Sequence, residues 1–219
     1  MYLDLLMKSL KTKFDSEERE GIHVSDLTLC LRKAVFKKLN PTPITAKELN
    51  FFTSGRAIHD AIQTVAKVNE GMFEIEKEIE FQGIQGHIDL YDTKANIPIE
   101  CKSSRTKEIK EPKKFHIDQL KYYMAFTGAD KGAILYQALM HFDETPFFEF
   151  EITMTEEERN KQKERGIIKR ELYTKALDAK DPFKVEGVME DPDLSWLCKS
   201  CPHLQACKDD VNKKVEHTK

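Results

Sequence analysis

The chain has 219 residues, 40% of them apolar and 33% charged, with a net charge of −3. That balance suits a soluble folded chain rather than a disordered one, and the length can bury one sizeable core or two small ones. No run of about 18 apolar residues is present to span a membrane, and no GxxxxGK[ST] phosphate loop is present to drive an ATP motor. The start at Met1–Leu10 lacks the parts of a signal peptide, so a cytoplasmic location is expected. Disulfides are rare there, and clustered cysteines point to metal.

Residues 25–39 predict a helix, capped by Ser25 or Asp26 and followed by Pro41. Thr45-Ala-Lys-Glu48 is a capping box that opens a longer helix to about residue 69. Residues 72–82 alternate weakly, as a strand does. Residues 84–91 alternate better, placing Ile84, Gly86, Ile88 and Leu90 on one face and Gln85, His87, Asp89 and Tyr91 on the other. In residues 96–102, Ile97, Ile99 and Cys101 face one way, Glu100 and Lys102 the other. A helix over 113–127 ends near Gly128, and 133–141 and 146–153 read as strands. Thr155-Glu-Glu-Glu158 opens a charged helix to about residue 179. Residues 180–195 read as a connecting loop, and the polar tail from Lys208 is expected to fray.

This order gives an α/β chain with a mixed sheet. It is expected to form a single domain over 1–219: a helical part over about 1–70, a core over about 71–154, and a C-terminal helix with a cysteine-rich cap over about 155–210.

Net charge does not advertise a polyanionic partner, but its distribution does. Residues 31–56 carry six basic side chains against one acidic, and residues 101–125 seven against three. Both stretches flank a carboxylate motif, Asp89 followed by Glu100-Cys-Lys102. Period-2 geometry puts Glu100 and Lys102 on one face, and a neighbouring strand brings Asp89 beside them. Hard oxygen ligands held this way suit Mg²⁺ or Mn²⁺, to which the Cys101 backbone carbonyl adds another oxygen. Lys102 then sits where it can orient or deprotonate a water and offset negative charge on a phosphate. His59, on the long helix, suits a further metal contact. Gln119 and Tyr123, four residues apart on one helix face, can hydrogen-bond a phosphate or the lysine.

The other constellation is Cys30 with Cys198-x2-Cys201-x5-Cys207. Four thiolates can hold zinc or a 4Fe–4S cluster. Either would tie the N-terminal helix to the C-terminal end and couple its own loss to unfolding. The cap so formed could wall a channel that admits a single strand, lined by the basic residues of 31–56. Phe51, Phe52 or Tyr122 would be available to stack on bases.

The string His59, Gly86-His-Ile-Asp89, Glu100-Cys-Lys102 and Gln119-Leu-Lys-Tyr-Tyr123 resembles the RecB-type branch of the PD-(D/E)xK nuclease superfamily. With Cys30 and the three C-terminal cysteines it is similar to the CRISPR-associated protein 4 exonucleases, over roughly residues 24–207. Ile88 stands where the superfamily pattern has its proline. The resemblance implies a restriction-endonuclease-like fold and Mg²⁺- or Mn²⁺-dependent exonuclease action on single-stranded DNA, commonly from the 5′ end. It also implies a 4Fe–4S cluster on the four cysteines, and trimming of DNA before insertion into a CRISPR array with the integrase as partner. A repair or viral recombination nuclease, a non-catalytic DNA-binding subunit and a redox-switched enzyme are the alternatives that the same residues allow.

Overall fold

A computed structural model of the chain describes residues 9–12, 21–68, 71–106, 108–140 and 147–216. The elements in chain order are β1 (Ile22–His23), α1 (Val24–Thr28), α2 (Leu31–Leu39), α3 (Ala46–Val68), β2 (Phe73–Phe81), β3 (Ile84–Asp92) and β4 (Ile97–Ser104). They continue with α4 (Lys114–Thr127), β5 (Lys131–Ala138), β6 (Phe147–Thr153), α5 (Glu156–Asp178), two 3-10 turns (Pro182–Lys184 and Ser195–Ser200) and α6 (Leu204–Glu216). The result is the expected mixed α/β architecture, with a six-stranded sheet and flanking helices.

β2 and β3 form an antiparallel hairpin, β3 and β4 are antiparallel, and β5 and β6 are antiparallel. β4 and β5 run parallel and are joined through α4, since parallel neighbours need a crossover. β1, too short to leave a pattern in the sequence, pairs parallel with β3 at Ile84 and Gln85. One edge of β3 is therefore shared. β1 takes its first two residues, β4 takes Leu90, Tyr91 and Asp92, and Asp89 falls in the gap between.

Helices cover both faces. Ile62 and Ala66 of α3 pack on Leu90, Ile99, Cys101 and Leu135. On the other face Ile84 and Ile88 pack with Val24, Leu27, Tyr122 and Tyr123, while Leu120 and Met124 of α4 pack on Ile134 and Tyr136. Gly86 lets α4 approach: a Cβ there would lie 2.9 Å from Tyr123 Cε1 and 3.1 Å from Val24 Cγ2. Tyr122 is wholly buried in this core and is not available to stack on a base.

Four expectations need correction. The helix over 25–39 is broken at Leu29 and Cys30, where extended backbone ends α1 and starts α2; the first helix is capped at His23, whose N–H donates to Asp26 (3.0 Å). Ile84, Gly86, Ile88 and Leu90 do not share a face, because Ile88 and Leu90 join cores on opposite sides of the sheet. The phase slips at Asp89, opposite Glu76, which has φ +51°. Residues from Lys208 to Glu216 are helical, as part of α6, where Gln205 donates to Asp209 (2.8 Å). β5 ends at Ala138, short of the expected residue 141, and β6 begins at Phe147; His141 and Pro146 lie outside the described residues. No helix among the described residues is long and apolar enough to cross a membrane.

Candidate active site

The gap on the β3 edge gathers the charged groups. Asp89 (7% exposed) keeps its position by capping the open ladder: its Oδ2 accepts the Cys101 N–H at 2.6 Å. Its Oδ1 lies 3.2 Å from His59 Nδ1, which α3 carries across the sheet. Glu76, opposite Asp89 in the hairpin register, completes a set with His59 and Asp89. The ligand atoms of these three lie within 4.8 Å of one another, and together they could hold a metal ion. Gln63, one turn beyond His59, donates to Glu76.

Glu100 and Lys102 lie next to this set on β4. Lys102 donates to Glu100 Oε1, whereas Glu100 Oε2 is buried with no hydrogen-bond partner among the described residues. At 1% exposure, a carboxylate with one oxygen unsatisfied is costly. Burial, then the charge of Asp89, pushes its pKa up to about 7. Burial opposes the charge on Lys102, but Glu100 and Asp89 outweigh it and hold Lys102 above the usual lysine value. The same contest raises His59: burial works against its proton, and the bond to Asp89 wins. Burial and both carboxylates push the Cys101 thiol up, so it stays neutral. A divalent cation would offset the crowding of negative charge in this cluster of acidic groups.

Two neighbours were not singled out by the sequence. The Tyr136 hydroxyl, opposite Lys102 in register, accepts the Lys113 N–H (3.1 Å), so its own proton points to His116 Nδ1 (2.6 Å). Burial, then Lys102 and Lys113, drops the His116 pKa to about 2, so the ring is neutral. Glu76 was likewise missed, since it is one of four evenly spaced glutamates, at 74, 76, 78 and 80, on β2. Gln119 and Tyr123 do meet, Nε2 donating to the hydroxyl at 3.1 Å, with Tyr123 buried against Gly86. Phe51 and Phe52 are about half exposed, and the Arg105 guanidinium lies 5.0 Å from the Phe51 ring.

The second constellation also assembles. Cys30 at the start of α2, Cys198 and Cys201 around the second 3-10 turn, and Cys207 in α6 line one pocket with Phe36, Val188 and His203. All are free thiols. Burial, followed by the neighbouring thiols among other contacts, raises Cys30 and Cys198. Arg32, itself buried, donates Nε to Val185 O (2.9 Å) and aims Nη1 at Cys207 Sγ (3.8 Å). Among the described residues no three of these sulfurs approach within 4.8 Å of one another.

A mixed sheet of this topology, flanked by helices and carrying acidic groups at a split strand edge, is the restriction-endonuclease-like class of fold. The sequence model of the PD-(D/E)XK nuclease superfamily matches residues 10–208, and the chain belongs to that superfamily. It is a nuclease by family, and enzymes of this superfamily use divalent metals. No curated protein matches in sequence. Among solved structures, SSO0001 is similar at 22% identity over 93% of this chain and 94% of that one, with a TM-score of 0.58. A phage-related exonuclease from Haemophilus somnus 129PT is similar at 14% identity over 77% and 100%, with a TM-score of 0.53. The alkaline exonuclease LHK-Exo from Laribacter hongkongensis, in complex with dAMP, is similar at 15% identity over 73% and 89%, with a TM-score of 0.53. At these identities the likeness is one of fold.

Proposed function

We propose that this protein is a Mg²⁺- or Mn²⁺-dependent exonuclease for single-stranded DNA, working from the 5′ end and stabilised by a 4Fe–4S cluster. The observation that carries the reading is Glu100: a buried carboxylate with one oxygen unpartnered, beside Asp89 and Lys102. Asp89, Glu100, His59 and the Cys101 carbonyl would hold the metal, with Glu76 within reach of the same ion. A bound metal would polarise the scissile phosphate and lower the pKa of its water. Lys102, kept charged by Glu100, offsets negative charge on the phosphate. Gln119 fixes the Tyr123 hydroxyl toward one side of α4, where it can help hold Lys102 or a phosphate. Structures similar to this one include exonucleases, one of them holding dAMP, and this supports action on DNA ends.

The four cysteines suit an iron–sulfur cluster better than zinc. The separate Cys30 and the tight C-terminal trio differ from the two short pairs usual for zinc, and the pocket that gathers all four supports a shared cofactor. The cysteine pattern together with the nuclease motif supports a role in trimming DNA for CRISPR arrays, with the integrase as partner and the whole chain acting as one nuclease domain. The test is anaerobic purification, a visible spectrum, and digestion of end-labelled single strands with and without Mn²⁺. A colourless protein, or strands left whole in Mn²⁺, refutes the corresponding half of the proposal. Gene neighbours separate the CRISPR role from repair or recombination.

A further inference from the structure

We propose that Trp196 and Phe115 form a stacking platform for one base of the substrate strand at the rim of the carboxylate site, so that the cysteine-bearing turn itself grips DNA. This deepens the nuclease reading and rests on it. Trp196 is the chain's sole tryptophan, yet it is 47% exposed. Its ring stands 5.8 Å from Phe115 at a 42° tilt, and Lys113 Nζ lies 5.9 Å from the Phe115 centroid. Lys114 binds Asp193 (2.9 Å), which fixes the turn against the start of α4.

The platform reaches the site through short contacts. Phe115 meets His116 edge-on at 4.2 Å, His116 is bonded to Tyr136, and Tyr136 is the register partner of Lys102. A phosphate drawn to Lys102 therefore has an open aromatic face and a lysine beside its neighbouring nucleotide. An indole serving only the core would be covered. One left open beside exposed lysines suits a ligand with both flat apolar faces and negative charge, which is a single strand.

The test is equilibrium binding of about 12-nucleotide single strands in EDTA, which prevents cleavage, to the cluster-bearing protein. Trp196→Ala should weaken binding of an intact oligothymidylate about 5- to 150-fold, the range for losing one base stacked on a ring. It should leave affinity for the abasic strand unchanged, and Trp196→Phe should recover most of the loss. In the wild type, saturating oligothymidylate should shield the sole tryptophan from acrylamide quenching, a readout that stands even if Trp196→Ala does not fold. Equal loss on intact and abasic strands overturns the platform, as does a tryptophan that stays open to acrylamide in the saturated complex. Either result leaves the nuclease reading in place if the wild type still binds and cuts. A wild type that binds neither strand overturns the platform, and one that also leaves end-labelled strands whole in Mn²⁺ removes the nuclease reading with it.

Discussion

Glu100→Gln separates the metal-site reading from a merely structural one. The native pKa of Glu100 stands at about 7 against an ordinary 4.5, raised by burial and then by Asp89. Each unit is about 1.4 kcal/mol, so holding this side chain ionised costs the metal-free fold on the order of 3 kcal/mol. The folded value lies above the unfolded one, so the fold favours the protonated carboxyl. That contribution is intact below about pH 4.5 and is lost as pH rises through about 7. Glutamine keeps the shape and cannot ionise, but it leaves Lys102 with Asp89 as its nearby counter-charge, which offsets part of the gain. Compared with wild type in chelator, the variant should therefore gain about 1–2 kcal/mol between pH 5 and pH 8. At this chain length that is roughly 2–8 °C in matched thermal scans. Its nuclease activity should vanish, and Mn²⁺ should raise its midpoint less than it raises that of wild type. Equal pH slopes for the two proteins in chelator, or wild-type cleavage by the variant, would refute the reasoning.

Three further perturbations probe the frame around the site. Cys198→Ala should bleach visible absorbance and cost about 2–5 kcal/mol, the range for losing a link that closes a long loop; a coloured variant of undiminished stability would remove Cys198 from the ligand set. Gly86→Ala drives a methyl group into Tyr123 and should cost about 1–3 kcal/mol by chemical denaturation, and an unchanged midpoint would show that α4 can yield. Burial lowers Lys169, whose ammonium donates to the Leu27 carbonyl, to about 8. Its folded value is below its unfolded value, so wild-type stability should rise between pH 7.5 and 9.5. The rise should be about 1–2 kcal/mol more than in Lys169→Met, and parallel pH profiles would discount that burial.

Much of the candidate site's grouping was legible because side chains alternate along a regular strand. Glu100 and Lys102, two residues apart, had to share a face, and a hairpin-like spacing had to bring Asp89 near. His59 was harder: a lone histidine on a helix declares nothing until α3 is seen crossing the sheet to reach Asp89. Glu76 was illegible because its neighbours at 74, 78 and 80 carry the same side chain; what distinguishes it is a positive φ and a place opposite Asp89. The break at Cys30 hid inside an apolar periodicity that runs through both α1 and α2. α6 was passed over because its apolar positions, Leu204, Cys207, Val211 and Val215, are diluted by charged and amide side chains in a tail of low overall hydropathy. Trp196 was passed over because one aromatic residue in a loop has no period at all.

The divided edge of β3 explains why the charged groups of the candidate site stand where they do. An uninterrupted β3–β4 ladder would carry Asp89 directly opposite Glu100, two like charges in a register pair, which a sheet disfavours. Instead pairing stops at Leu90 and Ile99, and the Asp89 carboxylate takes the Cys101 N–H that a backbone carbonyl would otherwise hold. One of its oxygens thereby replaces a lost ladder bond, and the other faces His59. Ile88 and Leu90 then point to opposite cores, which locks the slip from both sides. The geometry of the candidate site is thus written into the strand register. Sliding β3 by one residue would bury Gln85 and His87, expose Ile84 and Ile88, and withdraw Asp89 from the gap. The acidic groups remain close enough to disfavour full ionisation, and a divalent cation would resolve that conflict where backbone pairing does not.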